Sequence, residues 1–176
     1  MQPIIITGGP GAGKTTLMNA LGEQGFLTFP EVSRTLIRQQ SQLADGVLPW
    51  TDLPRFAELC LDMMSQQRDQ ACVETQLAFV DRAIGDICAY LAVGGEVVTP
   101  DYREAAQGYY PVVFFCAPHR DIYAQDEERP HSFEEAEQIH HQLVATYQGL
   151  GYEVAEVPWG SVEERAGWVL TRLAQG

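Results

Sequence analysis

The stretch GGPGAGKTT, residues 8–16, joins the β-branched run PIIIT (3–7) to KTTLMNALGEQG (14–25), whose apolar residues recur at helical spacing. Gly8, Gly13, Lys14 and Thr15 satisfy G-x4-G-K-[ST], and the strand, loop and helix around them are the context that gives this spacing its meaning. Glycines let successive backbone N–H groups turn towards a phosphate, and the start of the helix adds the positive end of its dipole. Gly8, Gly9, Pro10, Gly11, Ala12, Gly13, Lys14, Thr15 and Thr16 are therefore expected to cradle the phosphates of a nucleotide. Lys14 is expected to bridge the β- and γ-phosphates, and Thr15 to ligate Mg²⁺. No NKxD string, which reads guanine, occurs. ATP is thus the expected nucleotide, with GTP as the alternative.

The rest of the chain alternates apolar runs with amphipathic ones. FLTFPE (26–31), LAFVDR (77–82), YYPVVFFCAP (109–118) and YEVAEVP (152–158) read as four further strands. Helical spacing appears in 32–43, 54–74, 84–93, 133–151 and 161–175, with a short helix or turn at 99–108. Alternation of this kind predicts an α/β fold, a three-layer α/β/α sandwich around a parallel five-stranded sheet, with ligands at the C-terminal ends of the strands. At 176 residues without repeat or linker, a single domain over 1–176 is expected.

Those strand ends carry the chemistry-bearing residues. Asp81 closes an apolar strand, where a carboxylate either holds Mg²⁺, directly or through water, or is simply a solvated strand end. Arg82 beside it suits a phosphate or other anion. Glu31 follows the second strand as a general base for an acceptor hydroxyl or as a first-turn helix acid, with Arg34 and Arg38 one and two turns on. Arg120 and Arg129 flank a charged loop at about 118–132 that reads as a lid supplying cations to a transferring phosphoryl group, or as a set of exposed ion pairs. His131, His140 and His141 make no metal set and are assigned to the surface. Trp50, Tyr102, Tyr109, Tyr110 and Trp159 either stack on a base or pack structurally.

A net charge of −13 repels phosphate backbones and anionic lipid, so neither nucleic acid nor membrane insertion is expected. Four cysteines without a CxxC pair read as buried thiols, and no basic leader precedes the first apolar run, so a cytoplasmic setting is expected.

The strings GGPGAGKTTL, FPEVSR, FVDRAIGD and FCAPHRDIYAQDEERPHSFEEA resemble the NadR/TTD-type AAA-labelled ATPases, P-loop NTPases related to small-molecule kinases. The resemblance spans nearly the whole chain. It implies a P-loop NTPase fold with sheet order 2-3-1-4-5, an acceptor region between the second and third strands, and kinase-like roles for Lys14, Thr15, Asp81, Arg82, Arg120 and Arg129. The expected function is Mg²⁺-dependent transfer of the γ-phosphoryl group of ATP to a small-molecule acceptor whose proton passes to Glu31 or Asp81, by a monomer or dimer. A nucleotide-state switch that contacts a partner instead of making a product is the alternative.

Overall fold

Apolar β-branched and aromatic runs too short to be helices assemble into one sheet in the computed structural model, which describes residues 1–123 and 131–176. The strands are β1 (Ile4–Gly8), β2 (Leu27–Phe29), β3 (Ala78–Asp81), β4 (Val112–Cys116) and β5 (Glu153–Glu156). They lie in the order β2-β3-β1-β4-β5, every neighbouring pair parallel, as the resemblance implied. β1 and β4 are buried along their whole length, as continuous apolar runs covered on both faces should be. Edge strand β2 is shorter than the apolar run because Pro30, lacking an N–H, cannot extend a ladder.

The helices are α1 (Lys14–Glu23), α2 (Val32–Ser41), α3 (Leu53–Cys72), α4 (Ile84–Val93), α5 (Pro100–Ala105), α6 (Phe133–Gly149) and α7 (Val162–Gln175). Side chains alternate across each strand, so the sheet divides the core in two. Ile5, Val80, Val113 and Phe115 face a layer containing α2, α3, α4 and α6. Ile4, Ile6, Phe79 and Phe114 face α1 and α7. Side-chain caps fix where helices start: Ser132 and Ser161 each accept from the backbone N–H three residues on, at 3.1 Å, and acids fill both first turns.

Two expectations are corrected. His140 is buried against Phe115 and is not a surface residue, because α6 turns that side of its axis onto the sheet. Cys72 is exposed at the end of α3, whereas Cys60, Cys88 and Cys116 are buried thiols. Tyr102 and Tyr109 belong to the core and Trp50 is exposed. No helix among the described residues is long and apolar enough to cross a membrane.

Candidate active site

The turn from β1 into α1 is built around glycines because neighbouring backbone leaves no room for a side chain. Gly8 has φ of 149°, and a Cβ there would collide with the Cys116 carbonyl of β4. Gly13 has φ of 75°, and a Cβ would stand 2.7 Å from the Arg165 guanidinium. Thr16 donates its hydroxyl to the Gly13 carbonyl at 2.8 Å, closing the first turn of α1. Thr15 stays exposed. The resulting cavity, about 410 Å³, is lined by the backbone of Gly9 to Thr16 together with Glu31, Arg34 and Arg82.

Five of the residues singled out in the sequence meet beside this cavity. Lys14, at the start of α1, donates to Asp81 at the end of β3 and stands 3.7 Å from Glu31. Register explains the meeting: Asp81 pairs with Ile6, two residues before the loop opens. Glu31 occupies the N-cap position of α2 but makes no capping hydrogen bond, so its carboxylate points to the cluster. There it accepts from Ser33 at 2.9 Å and pairs with Arg82 at 3.3 Å and Arg34 at 3.7 Å. Burial favours the neutral acid, yet Arg82, Lys14, Ser33 and Arg34 together hold Glu31 below its ordinary pKa. Asp81 goes the other way: burial raises it against the pull of Lys14 and Arg82. Glu31 thus ionises more readily than its ordinary value and Asp81 less readily.

Arg82 is held by a network that sequence reasoning missed. It has φ of 64°, the one positive value outside glycine among the described residues, and its N–H donates to Ile6 at 3.0 Å. Its guanidinium donates to Asp86 at 2.9 Å and to Thr7 at 3.4 Å. Asp86 is 1% exposed and also accepts from Thr7 and Tyr147, each at 2.5 Å, and from the Ala83 N–H at 3.1 Å. The i, i+4 spacing of Arg82 and Asp86 was visible in the sequence, but it straddles a strand end and a helix start.

Arg165, in the first turn of α7, is a second omission. It is 4% exposed and donates to the Ala12 carbonyl and the Pro158 carbonyl, both at 3.3 Å, while its guanidinium covers the Trp159 ring at 4.4 Å. It ties the phosphate loop to the segment after β5. Trp159 also meets His119 edge to face, so its ring serves packing in this arrangement. Arg120 sits on a short 3₁₀ helix, pairs with Glu134 at 3.3 Å and covers the Phe133 ring. It is not brought to the cluster. Arg129 lies outside the described residues. The Tyr123 ring lies against Gly11 and closes one side of the loop.

His140 makes the phosphate loop's surroundings sensitive to acid. Its Cβ lies behind Gly9, its Nε2 is 3.4 Å from Glu156, and its Nδ1 has no partner among the described residues. Burial lowers its pKa below 6.5, outweighing Glu156 and Glu137, which pull it up; His141 adds to the lowering. The unfolded chain therefore binds the proton more readily, so this contribution to stability is complete above 6.5 and falls as pH drops through the folded value. Glu31 adds a second loss below 4.5, which the raised pKa of Asp81 partly offsets. Urea unfolding between pH 7.5 and 5 should show a decline of at most about 1.4 kcal/mol per pH unit. His140→Gln should flatten that decline; an unchanged slope would place the titration elsewhere.

A parallel sheet in this order, with the glycine turn leading from its central strand into a helix that opens on lysine, defines the P-loop NTPase fold in its kinase form. Within that class the chain belongs to the AAA domain family, whose model matches residues 3–165. Among solved structures, a deoxyadenosine kinase from M. mycoides with bound dATP is similar over 98% of this chain and 99% of its own, with TM-score 0.60 and 16% identity. A thymidylate kinase from Ehrlichia chaffeensis covers 98% and 100%, with TM-score 0.62 and 14% identity. A shikimate kinase from Acinetobacter baumannii in complex with shikimate covers 99% and 94%, with TM-score 0.58 and 17% identity. These likenesses are of fold. No curated protein matches the sequence.

Proposed function

We propose that the chain is a Mg²⁺-dependent phosphotransferase that moves the γ-phosphoryl group of ATP to a hydroxyl of a small molecule. The observation that carries this reading is the place of Glu31. It lines the phosphate cradle, and it also lines a separate cavity of about 210 Å³ between α2, α3 and α4. A nucleotide hydrolase has no need of a second cavity opening on an ionised carboxylate. A kinase needs one, because acceptor hydroxyl, base and γ-phosphate must meet at one point. Of the kinases of like fold, one holds dATP and another shikimate.

In this reading the loop N–H groups and Lys14 hold the β- and γ-phosphates, and Arg82 neutralises charge on the transferring group. Glu31 takes the acceptor proton. Arg120 and Arg129 would complete the charge around the phosphoryl group. Thr15 and Asp81 fit a hard cation: an exposed hydroxyl and a carboxylate line one cleft beside the loop, and both offer oxygen. When bound there, Mg²⁺ neutralises the phosphate oxygens.

Purified protein given Mg²⁺, ATP and a panel of nucleosides, sugars and vitamins should yield a phosphorylated acceptor. Brisk ATP hydrolysis with no phosphorylated acceptor would end this reading. Tight binding without turnover would favour a nucleotide-state switch.

Lys14 offers a sharper test of nucleotide placement, because it is the only lysine in the sequence. Lys14→Ala should weaken ATP binding by about 10- to 150-fold, the equivalent of one charge-assisted hydrogen bond, and abolish turnover. In the wild type, ATP with Mg²⁺ should shield the Lys14 amine from an acylating reagent, as read by mass spectrometry. Equal acylation with and without ATP would place the nucleotide away from the loop.

A further inference from the structure

The cavity between α2, α3 and α4 has a chemical character of its own. Its walls are apolar, from Ile37 on α2, Phe56 and Ala57 on α3 and Ile87 on α4, and its polar end carries Glu31 and Tyr90. Among the described residues no lysine, arginine or histidine lines it. The buried cations beside Glu31, Arg82 and Lys14, line the phosphate cradle and not this cavity. Arg34 and Arg38 line a different cleft, which they share with Thr15 and Asp81. An acceptor bearing phosphate or carboxylate would find no counter-charge in the apolar cavity, and would bring its own charge up to an ionised Glu31. Volume sets a second limit. A dry apolar cavity of about 150 Å³ accepts a benzene ring, so about 210 Å³ suits one ring with a short arm.

From this geometry we infer that the acceptor is a compact single-ring alcohol with no anionic group, its ring between Ile37, Phe56 and Ile87 and its hydroxyl at Glu31. This rests on the phosphotransferase reading above. The hydroxyl oxygen forms a bond to the γ-phosphorus, the bond from that phosphorus to the β–γ bridging oxygen breaks, ADP leaves with the electron pair, and the hydroxyl proton passes to the Glu31 carboxylate.

Benzyl alcohol, benzoate and phenyl phosphate, matched in ring and different in charge, separate the terms by saturation-transfer NMR on the full chain. Benzyl alcohol should bind, with phenyl phosphate and benzoate at least tenfold weaker, and Ile37→Trp should weaken benzyl alcohol at least tenfold. Ala57→Leu, filling the cavity from α3, should do the same, and circular dichroism of both variants checks that they fold. Equal or tighter binding of phenyl phosphate, absence of benzyl alcohol binding, or binding indifferent to both substitutions in folded protein overturns the inference. Transfer assays with single-ring alcohols and their monophosphates separate it from its premise. Preferential phosphorylation of the monophosphates keeps the kinase and discards the inferred acceptor. Selective binding of benzyl alcohol with no transfer to any alcohol keeps the cavity's preference and discards the kinase.

Discussion

Glu31→Gln is expected to lower kcat for phosphoryl transfer by about 10²- to 10⁴-fold, the usual contribution of a positioned general base, while ATP affinity changes only a few-fold. The amide keeps the size of the side chain and still accepts from Ser33, so the cluster should keep its shape. What disappears is the carboxylate that receives the proton. Because Arg82, Lys14, Ser33 and Arg34 hold Glu31 below its ordinary value of 4.5, the wild-type rate should not depend on this group across neutral pH and should decline only in acid. Asp81→Asn provides the control. Asp81 accepts from Lys14 and its pKa is raised, so its loss should weaken Mg²⁺ dependence and nucleotide binding together. If Asp81→Asn removed transfer with ATP affinity intact and Glu31→Gln did not, the base would be Asp81. Steady-state kinetics with separately measured ATP affinity distinguishes these cases.

Asp86→Ala is expected to be the most damaging single change to stability outside the apolar core. Four donors converge on this carboxylate: Arg82, Thr7, Tyr147 and the Ala83 N–H. Removing it strands a buried guanidinium and two buried hydroxyls. Breaking a buried pair from one side costs about 3–5 kcal/mol, a large part of the roughly 5–15 kcal/mol that a domain of this kind has in hand. In a chain of this size that corresponds to a fall in Tm of about 10 °C. Asp86→Asn retains an acceptor for Tyr147 and should recover part of the loss. Arg82 would also lose the partner that fixes its guanidinium, so transfer should fall beyond what partial unfolding explains. Thermal and urea unfolding check the first claim, and a loss below about 1 kcal/mol would show that Arg82 re-pairs with Glu31 alone.

Much of this architecture was legible because it follows from short-range pattern. The glycine spacing at residues 8–16, the β-branched run before it and the helical spacing after it all agree, and the same alternation locates every strand to within a few residues. Glu31, Asp81 and Lys14 were legible for a topological reason: in a parallel sheet, strand C-termini share one edge, so residues at those ends meet. What stayed hidden depends on side-chain direction and long-range packing. Asp86 reads as one acid in an apolar helix, and only the fold brings Thr7 and Tyr147 to it. Arg165 reads as a polar residue in a first turn between Glu164 and Ala166, and only the contact of α7 with α1 sets it beneath the phosphate loop. His140 follows the same logic. Its burial is fixed by which side of α6 faces the sheet, and with His141 next to it the helical period alone does not decide between the two.

In the proposed reaction the γ-phosphoryl group leaves ATP for an organic hydroxyl at Glu31. The most direct measurement follows the γ-phosphorus itself: ATP labelled there, with Mg²⁺, purified protein and a mixture of single-ring alcohols and nucleosides, resolved by chromatography. Label should appear in a new phosphate ester at the rate ADP forms, with little inorganic phosphate, and about 10²- to 10⁴-fold more slowly with Glu31→Gln. Label found only in inorganic phosphate, at the rate ATP disappears, would contradict the proposed transfer.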